Sequence, residues 1–251
     1  MIEWSDAAFV LVVRRHGESG LIVELLTRDH GRHLGFVRGG QSPRRRPALQ
    51  PGNAVVATWR GRLPEHLGSL GCELLQAHAA RFLDDPDKLA ALASATALIA
   101  ASLPEREPQA DVFAGFALLL ESLDSAVDWP ARYVAWECGL LAALGFGLDL
   151  TRCAATGATA DLVYVSPRTG RAVSREAGRP YHDKLLPLPA FLRGTGGPAE
   201  ADIAAGLALT EHFLRHHVLM PQGRDLPPAR TRLAARMQSK SAADTIGGSI
   251  I

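Results

Sequence analysis

The apolar residues of this chain change their period at Asp84-Asp85-Pro86-Asp87, and that change limits the folds open to it. Before it, apolar residues come in short runs at positions 7–15, 21–27, 32–38, 54–60 and 67–77, the last made irregular by Gly68 and Gly71. Gly and Pro punctuate the gaps, as in His16-Gly17-Glu18-Ser19-Gly20, Asp29-His30-Gly31 and Gly61-Arg62-Leu63-Pro64. Short runs bounded by turn residues predict strands. Five of them within roughly 80 residues predict a small closed barrel of the OB type, with an SH3-like barrel as the alternative that composition leaves open. After the change, Leu89, Leu92, Ala93, Thr96 and Ile99 recur at helical spacing, behind acids and a proline suited to a helix start. Further helices are predicted at about 110–123, from Pro130 to a stop at Gly145 and Gly147, at about 198–219, and near 227–237. The third carries Tyr133, Trp136, Leu140, Leu141 and Leu144 on one apolar stripe. The tail at 241–251 is expected to fray.

The expected architecture is therefore α+β and multidomain: a five-stranded OB-type barrel at 1–80, then an all-α helical bundle at 81–251. Within the second block, residues 151–186 interrupt the helices. A possible strand at 162–165, the turn Ser166-Pro167-Arg168-Thr169-Gly170 and a second short strand at 171–174 look like a zinc ribbon. A tetrahedral zinc site needs four Cys or His ligands, usually as Cys-x-x-Cys pairs. Here Cys153 is followed by Thr156, with no later Cys and with His182 as the only other ligand type. The expectation is a ribbon-like insertion without its metal ligands, no metal, and a Cys153 that is a small buried hydrophobe.

Composition places the chain among globular proteins, with 47% hydrophobic and 21% charged residues in a total of 251. Three cysteines, Cys72, Cys138 and Cys153, make no disulfide framework, which points to a reducing, cytoplasmic setting. The longest uncharged apolar stretch, 89–103, falls short of the roughly 20 residues of a membrane span, so no membrane partner is expected.

The formal net charge is only +1, but it is a cancellation. Residues 1–80 hold ten Arg, no Lys and seven acids; residues 81–130 hold three bases and nine acids; residues 131–251 hold fourteen bases and ten acids. Arginine keeps its charge at any physiological pH and offers a planar fork that matches phosphate oxygens. The densest cluster, Arg44-Arg45-Arg46, lies in a Gly-, Ser- and Pro-rich stretch that reads as an exposed loop. Three adjacent cations repel one another, and an anionic partner relieves the repulsion. Arg44, Arg45 and Arg46, with Arg14, Arg38 and Arg62, are the candidate surface for a polyanionic partner such as nucleic acid. The first block has few aromatic residues, Trp4, Phe9, Phe36 and Trp59, so binding is expected to rest on charge more than on stacking.

Catalysis finds no motif. There is no Gly-x-x-x-x-Gly-Lys-Ser/Thr loop, no Gly-x-Gly-x-x-Gly after a strand, no His-Glu-x-x-His and no Gly-x-Ser-x-Gly. His212, His216 and His217 put two histidines four apart on one helix face, but Glu211 is the only nearby acid and no third ligand is evident, and a polar helix end suits imidazoles as well. The chain is expected to be a binder without a cofactor.

Several stretches together resemble the RecO family of bacterial DNA repair proteins. They are Ala8-Phe9-Val10-Leu11, Gly17-Glu18, Thr27-x-x-x-Gly31, the basic loop after Gly39, and Leu49-Gln50-Pro51. Further along come Glu137-x-x-Leu140-Leu141-x-x-Leu144-Gly145-Phe146-Gly147-Leu148-Asp149-Leu150, Cys153 and Gly157. The resemblance implies a non-enzymatic recombination mediator with an N-terminal OB-fold and a helical domain carrying a zinc-ribbon-like element. It implies binding of single- and double-stranded DNA and annealing of strands. It also implies action with RecR, and in some pathways RecF, to load RecA onto strands coated by SSB. Such a protein would be cytoplasmic and nucleoid-associated. In some members the helical domain receives the acidic SSB tail beside the Glu137 helix. In this sequence the candidates for that contact are Arg132, Leu140 and Leu141.

Overall fold

In a computed structural model that describes residues 1–194 and 198–247, the chain divides into two compact units, Met1–Leu120 and Glu121–Ile251. The first is built on five strands: β1 (Ile2–His16), β2 (Gly20–Thr27), β3 (Arg32–Val37), β4 (Ala54–Gly61) and β5 (Ser69–Gln76). They close into a barrel in the order β1-β2-β3-β5-β4. All neighbours are antiparallel except β3 and β5, which meet in parallel at Phe36 and Ser69. This is the OB-type arrangement.

Closure depends on β1. Its first half pairs with β4, Trp4 opposite Trp59, and its second half pairs with β2, Val13 opposite Val23. A bulge between Val10 and Val12 bends the strand, so one long segment can serve both edges. Inward positions of β4 alternate as Val55, Ala57 and Trp59, and all three are buried with Val10, Val23, Leu25, Val37 and Leu70. Gly68 is required beside this core: its φ is +61°, and a Cβ there would lie 2.3 Å from the Trp59 ring. The Thr27-x-x-x-Gly31 spacing closes the β2–β3 turn. The Thr27 N–H and hydroxyl both donate to the Gly31 carbonyl, at 2.9 and 2.7 Å.

Helices complete the first unit. A short α1 (His78–Arg81) leads to α2 (Pro86–Ser102), which packs on β1. The Asp84-Asp85-Pro86-Asp87 signal works as the residues suggest: the Asp85 carboxylate caps α2 by accepting from the Asp87 and Lys88 amides at 3.1 Å, with Pro86 at the first helical position. Phe113 and Phe116 of α3 (Ala110–Ser125) close on Phe9 with ring centroids 5.0 and 5.1 Å away. Buried Arg32 pairs with Glu24 inside the barrel wall and donates from Nε to the Leu103 carbonyl at 2.9 Å, tying the end of α2 to β3.

The second unit holds α4 (Trp129–Ala143), α5 (Arg175–Gly178), α6 (Glu200–Phe213) and α7 (Pro228–Gly247). Helix α6 packs against both α4 and α7. It approaches α4 closely at Gly206, where a Cβ would meet Val134 at 2.9 Å. Helix α7 continues past Met237, where the apolar spacing ends; of the tail expected to fray, 248–251 lie outside the described residues. The ribbon-like insertion is a three-stranded sheet in the order β7-β6-β8, made of β6 (Leu162–Val165), β7 (Ala172–Ser174) and β8 (Leu186–Pro187). The third strand is two residues long and has no alternation of its own, so the sequence offered nothing to mark it. Beyond α6 the chain winds into a π-helical segment, Leu214–Leu219.

Candidate nucleic-acid interface

The basic loop between β3 and β4 is exposed, yet it is held in place. The Arg45 and Arg46 amides donate to the Ser42 carbonyl at 3.1 and 3.0 Å, Asn53 Nδ2 donates to the Pro47 carbonyl at 2.9 Å, and Leu49 is buried in the barrel core. The Arg45 guanidinium donates to the Arg38 carbonyl, which folds that side chain back along the loop. Together the loop and the outer face of β4 and β5 enclose an open cleft of about 830 Å³. Arg38, Arg44, Arg45 and Arg60 line it, with Thr58, Ser69, Gly71 and Cys72 among the neighbouring residues. Glu73 is the acid among its lining residues. Burial pushes the Cys72 thiol up to about 12, so it faces the cleft as a neutral group.

Three of the six expected DNA arginines, Arg38, Arg44 and Arg45, are therefore brought to one cleft. Arg46 is exposed on the same loop but does not line it, and Arg14 on β1 and Arg62 in the β4–β5 turn stand outside it. Sequence reasoning missed Arg60. It lies on β4 in step with Thr58, on the face opposite Val55, Ala57 and Trp59. Strand alternation would have found it. Arg60 pairs with Glu3 at 2.8 Å, and the hydrogen bond to that carboxylate raises the guanidinium pKa above its ordinary value. Among the described residues Arg44 and Arg46 make no ion pair, so their charge is open to solvent or to an anion.

The barrel's aromatic rings are mostly engaged in packing. Trp4 lies between His30, 4.2 Å away and near-parallel, and Trp59, 5.9 Å away and near-parallel. Phe9 and Trp59 are buried, and half-buried Phe36 meets His16 edge-on.

In the second unit, Arg132 is exposed and donates to Asp128 one turn earlier at 2.8 Å. Leu140 and Leu141 are 2% and 0% exposed; in this conformation neither presents a surface to a partner. The basic count of this region also overstates its free charge. Arg171 pairs with Asp149, Arg175 with Asp161 and Arg215 with Asp225, while Arg230 is wholly buried against Glu137.

Two features differ from their sequence reading. Cys153 is buried, as expected, but it is not simply a hydrophobe: its Sγ accepts from the Ser174 amide at 3.3 Å and from the Ser174 hydroxyl at 3.5 Å. Burial pushes the thiol up, and the hydrogen bonds from Ser174 and Thr156 outweigh it and bring it down to about 6. The histidines converge because the π-helical turn widens the spacing, so that residues five apart come to one side. His212 and His217 both point Nε2 at the Pro167 carbonyl, at 3.1 and 3.4 Å, and the His216 ring lies 4.7 Å from that of His212. They clamp the ribbon turn. Among the described residues no group of three His, Cys, Asp or Glu side chains is arranged to hold a metal ion. No described helix is long and apolar enough to cross a membrane.

Comparison with known proteins matches two stretches of the chain to one family. Residues 1–77 match the family model described as recombination protein O N terminal, and residues 83–225 match recombination protein O C terminal. The DNA repair protein RecO of Rhodospirillum rubrum is 55% identical over 251 residues, covering 97% of this chain and all of that protein. The RecO proteins of Rhodospirillum centenum and Phenylobacterium zucineum are each 53% identical over 237 residues, covering 94% of this chain and 94% and 98% of theirs.

Proposed function

The chain belongs to the RecO family of DNA repair proteins, and from that premise we propose that it is a non-enzymatic mediator of DNA repair and recombination. It binds single- and double-stranded DNA through the barrel cleft, anneals complementary strands, and with RecR loads RecA onto strands coated by SSB. The observation that carries this reading is the convergence of Arg38, Arg44, Arg45 and Arg60 on one open cleft. Guanidinium groups contact phosphates without reading sequence, so affinity falls steeply with salt. Annealing then needs only that two polyanions be brought together with their repulsion screened.

The test is DNA affinity across salt concentrations for Arg44→Ala/Arg45→Ala, beside Arg14→Ala/Arg62→Ala outside the cleft. Removing one arginine–phosphate interaction lowers the slope of log affinity against log salt by about 0.7 on single strands and about 0.9 on duplex. The cleft variant is expected to flatten the slope by one to two such steps, and the outer variant to change it little. Equal slopes for wild type and the cleft variant refute the assignment.

A second reading is an adaptor that joins the SSB tail to RecR, with DNA contact incidental. An apolar groove of about 490 Å³ in the first unit favours it, lined by Pro47, Pro51, Leu74, Leu83, Leu89 and Leu92. Capture of an SSB tail peptide by a chain that shows no direct DNA binding would establish this reading over the first.

A further inference from the structure

The most exposed Phe, Tyr or Trp among the described residues is not on the barrel. Tyr181 is 61% exposed, in the 3-10 turn Arg179–Lys184 that follows α5 in the second unit. The turn is firmly placed. Gly178 lies flat against β6, where a Cβ would meet the Tyr164 ring at 2.5 Å. Pro180 restricts the backbone just before the tyrosine. His182 Nδ1 is 3.2 Å from the Arg179 carbonyl, and the Leu185 amide donates to the His182 carbonyl at 3.3 Å. A large apolar ring held in water on an ordered turn forgoes the burial that its side chain would gain in a core.

Charge surrounds the ring in a useful pattern. Arg179 and Lys184 are exposed at the two ends of the turn, and neither makes an ion pair among the described residues. Asp183, an exposed acid beside them, lies 2.9 Å from His182 Nε2, and Arg175 pairs with Asp161 at 3.2 Å. Glu176, on α5, is the other acid of the segment. An open ring face between unpaired cations is what an unpaired base and its flanking phosphates require. A duplex hides its base faces and cannot use the ring.

We infer that Tyr181 is a stacking platform for a base of single-stranded DNA, with Arg179 and Lys184 meeting the phosphates on either side. The inference rests on the proposal that this protein binds DNA, and it adds a site on the ribbon-like insertion that discriminates single strands from duplex. A pre-placed ring loses little freedom on binding, which favours contact.

The experiment compares full-length wild type, Tyr181→Ala and Tyr181→Phe on an unstructured oligo-dT strand and on a duplex of equal length. Tyr181→Ala is expected to weaken oligo-dT binding about 5- to 150-fold, the range for losing one stacked base. Its salt slope stays that of wild type, because every phosphate-facing cation is kept. Tyr181→Phe keeps the ring and binds as wild type, and duplex affinity is unchanged in all three. Wild-type affinity in Tyr181→Ala overturns the inference and leaves the ring to a protein partner. An equal loss on duplex overturns it too, because stacking cannot produce that result. Absence of DNA binding by the wild-type chain refutes the wider proposal instead, so the two failures are distinct.

Discussion

Removing Arg230 should strongly destabilise the second unit, and removing both charges should restore its stability. Arg230 and Glu137 are both wholly buried. Arg230 Nε and Nη2 donate to the two carboxylate oxygens at 2.5 and 3.0 Å, and Nη2 also donates to the Leu207 carbonyl at 2.8 Å. The Thr210 hydroxyl donates to the same carboxylate at 2.5 Å. The pair thereby joins α4, α6 and α7. Burial works against the Arg230 charge, and the Glu137 carboxylate outweighs it and raises the guanidinium pKa. Arg230→Met leaves Glu137 buried with one hydroxyl partner, and breaking a buried pair from one side costs about 3–5 kcal/mol. At a urea dependence of about 2 kcal/mol per molar, that moves the midpoint down by about 2 M. Glu137→Leu strands the cation and should cost a similar amount. The double variant removes both charges, and similar exchanges elsewhere are neutral or stabilising. Urea unfolding followed by the fluorescence of Trp129 and Trp136, both largely buried in this unit, reads the three variants. Single variants that each lose under about 1 kcal/mol, or a double variant that loses the sum of the two, would refute the claim that the pair couples these helices.

Three further predictions concern local devices. Desolvation lowers the His212 pKa below 6.5, opposed by the Pro167 carbonyl and helped by His216 and His217; the folded state disfavours its charged form, so the associated stability is present above that pH and is lost as the pH falls, and the acid-side drop in Tm should flatten in His212→Gln. Cys153 titrates near 6 in the fold against 9.0 unfolded, so its stabilisation grows from pH 6 to 9 and is lost below 6; the Tm gap between wild type and Cys153→Ala should widen over that interval, and a constant gap would show that the thiol is not ionised by Ser174 and Thr156. Asp85→Ala removes the α2 cap and should cost about 1 kcal/mol in thermal unfolding, while Asp84→Ala, which caps nothing in the structure, should cost much less.

Much of the fold was written locally. Strands bounded by turn residues and a helix start made of acids and a proline depend on neighbouring residues, which is why the five strands and the start of α2 were legible. The candidate site was legible in part, since a loop of three arginines announces itself by composition. Arg60 was not, because its role depends on the face it takes on β4 and on the loop that closes over β4 and β5 to form the cleft. Leu140 and Leu141 read equally well as core or as a docking stripe, and packing within the second unit buried them. Nor could the sequence distinguish the unpaired cations beside Tyr181 from those, such as Arg171 and Arg175, that find a carboxylate. By itself, then, the sequence determined the period of each element, the caps and turns, and the presence of a basic loop, because these are set over a few residues. The tertiary structure alone decided barrel closure through β1, the buried pairing of Arg230 with Glu137 across 93 positions, and which charges remain open to an anion. Each of those depends on groups distant in the chain meeting in space, where desolvation and geometry settle which partners pair.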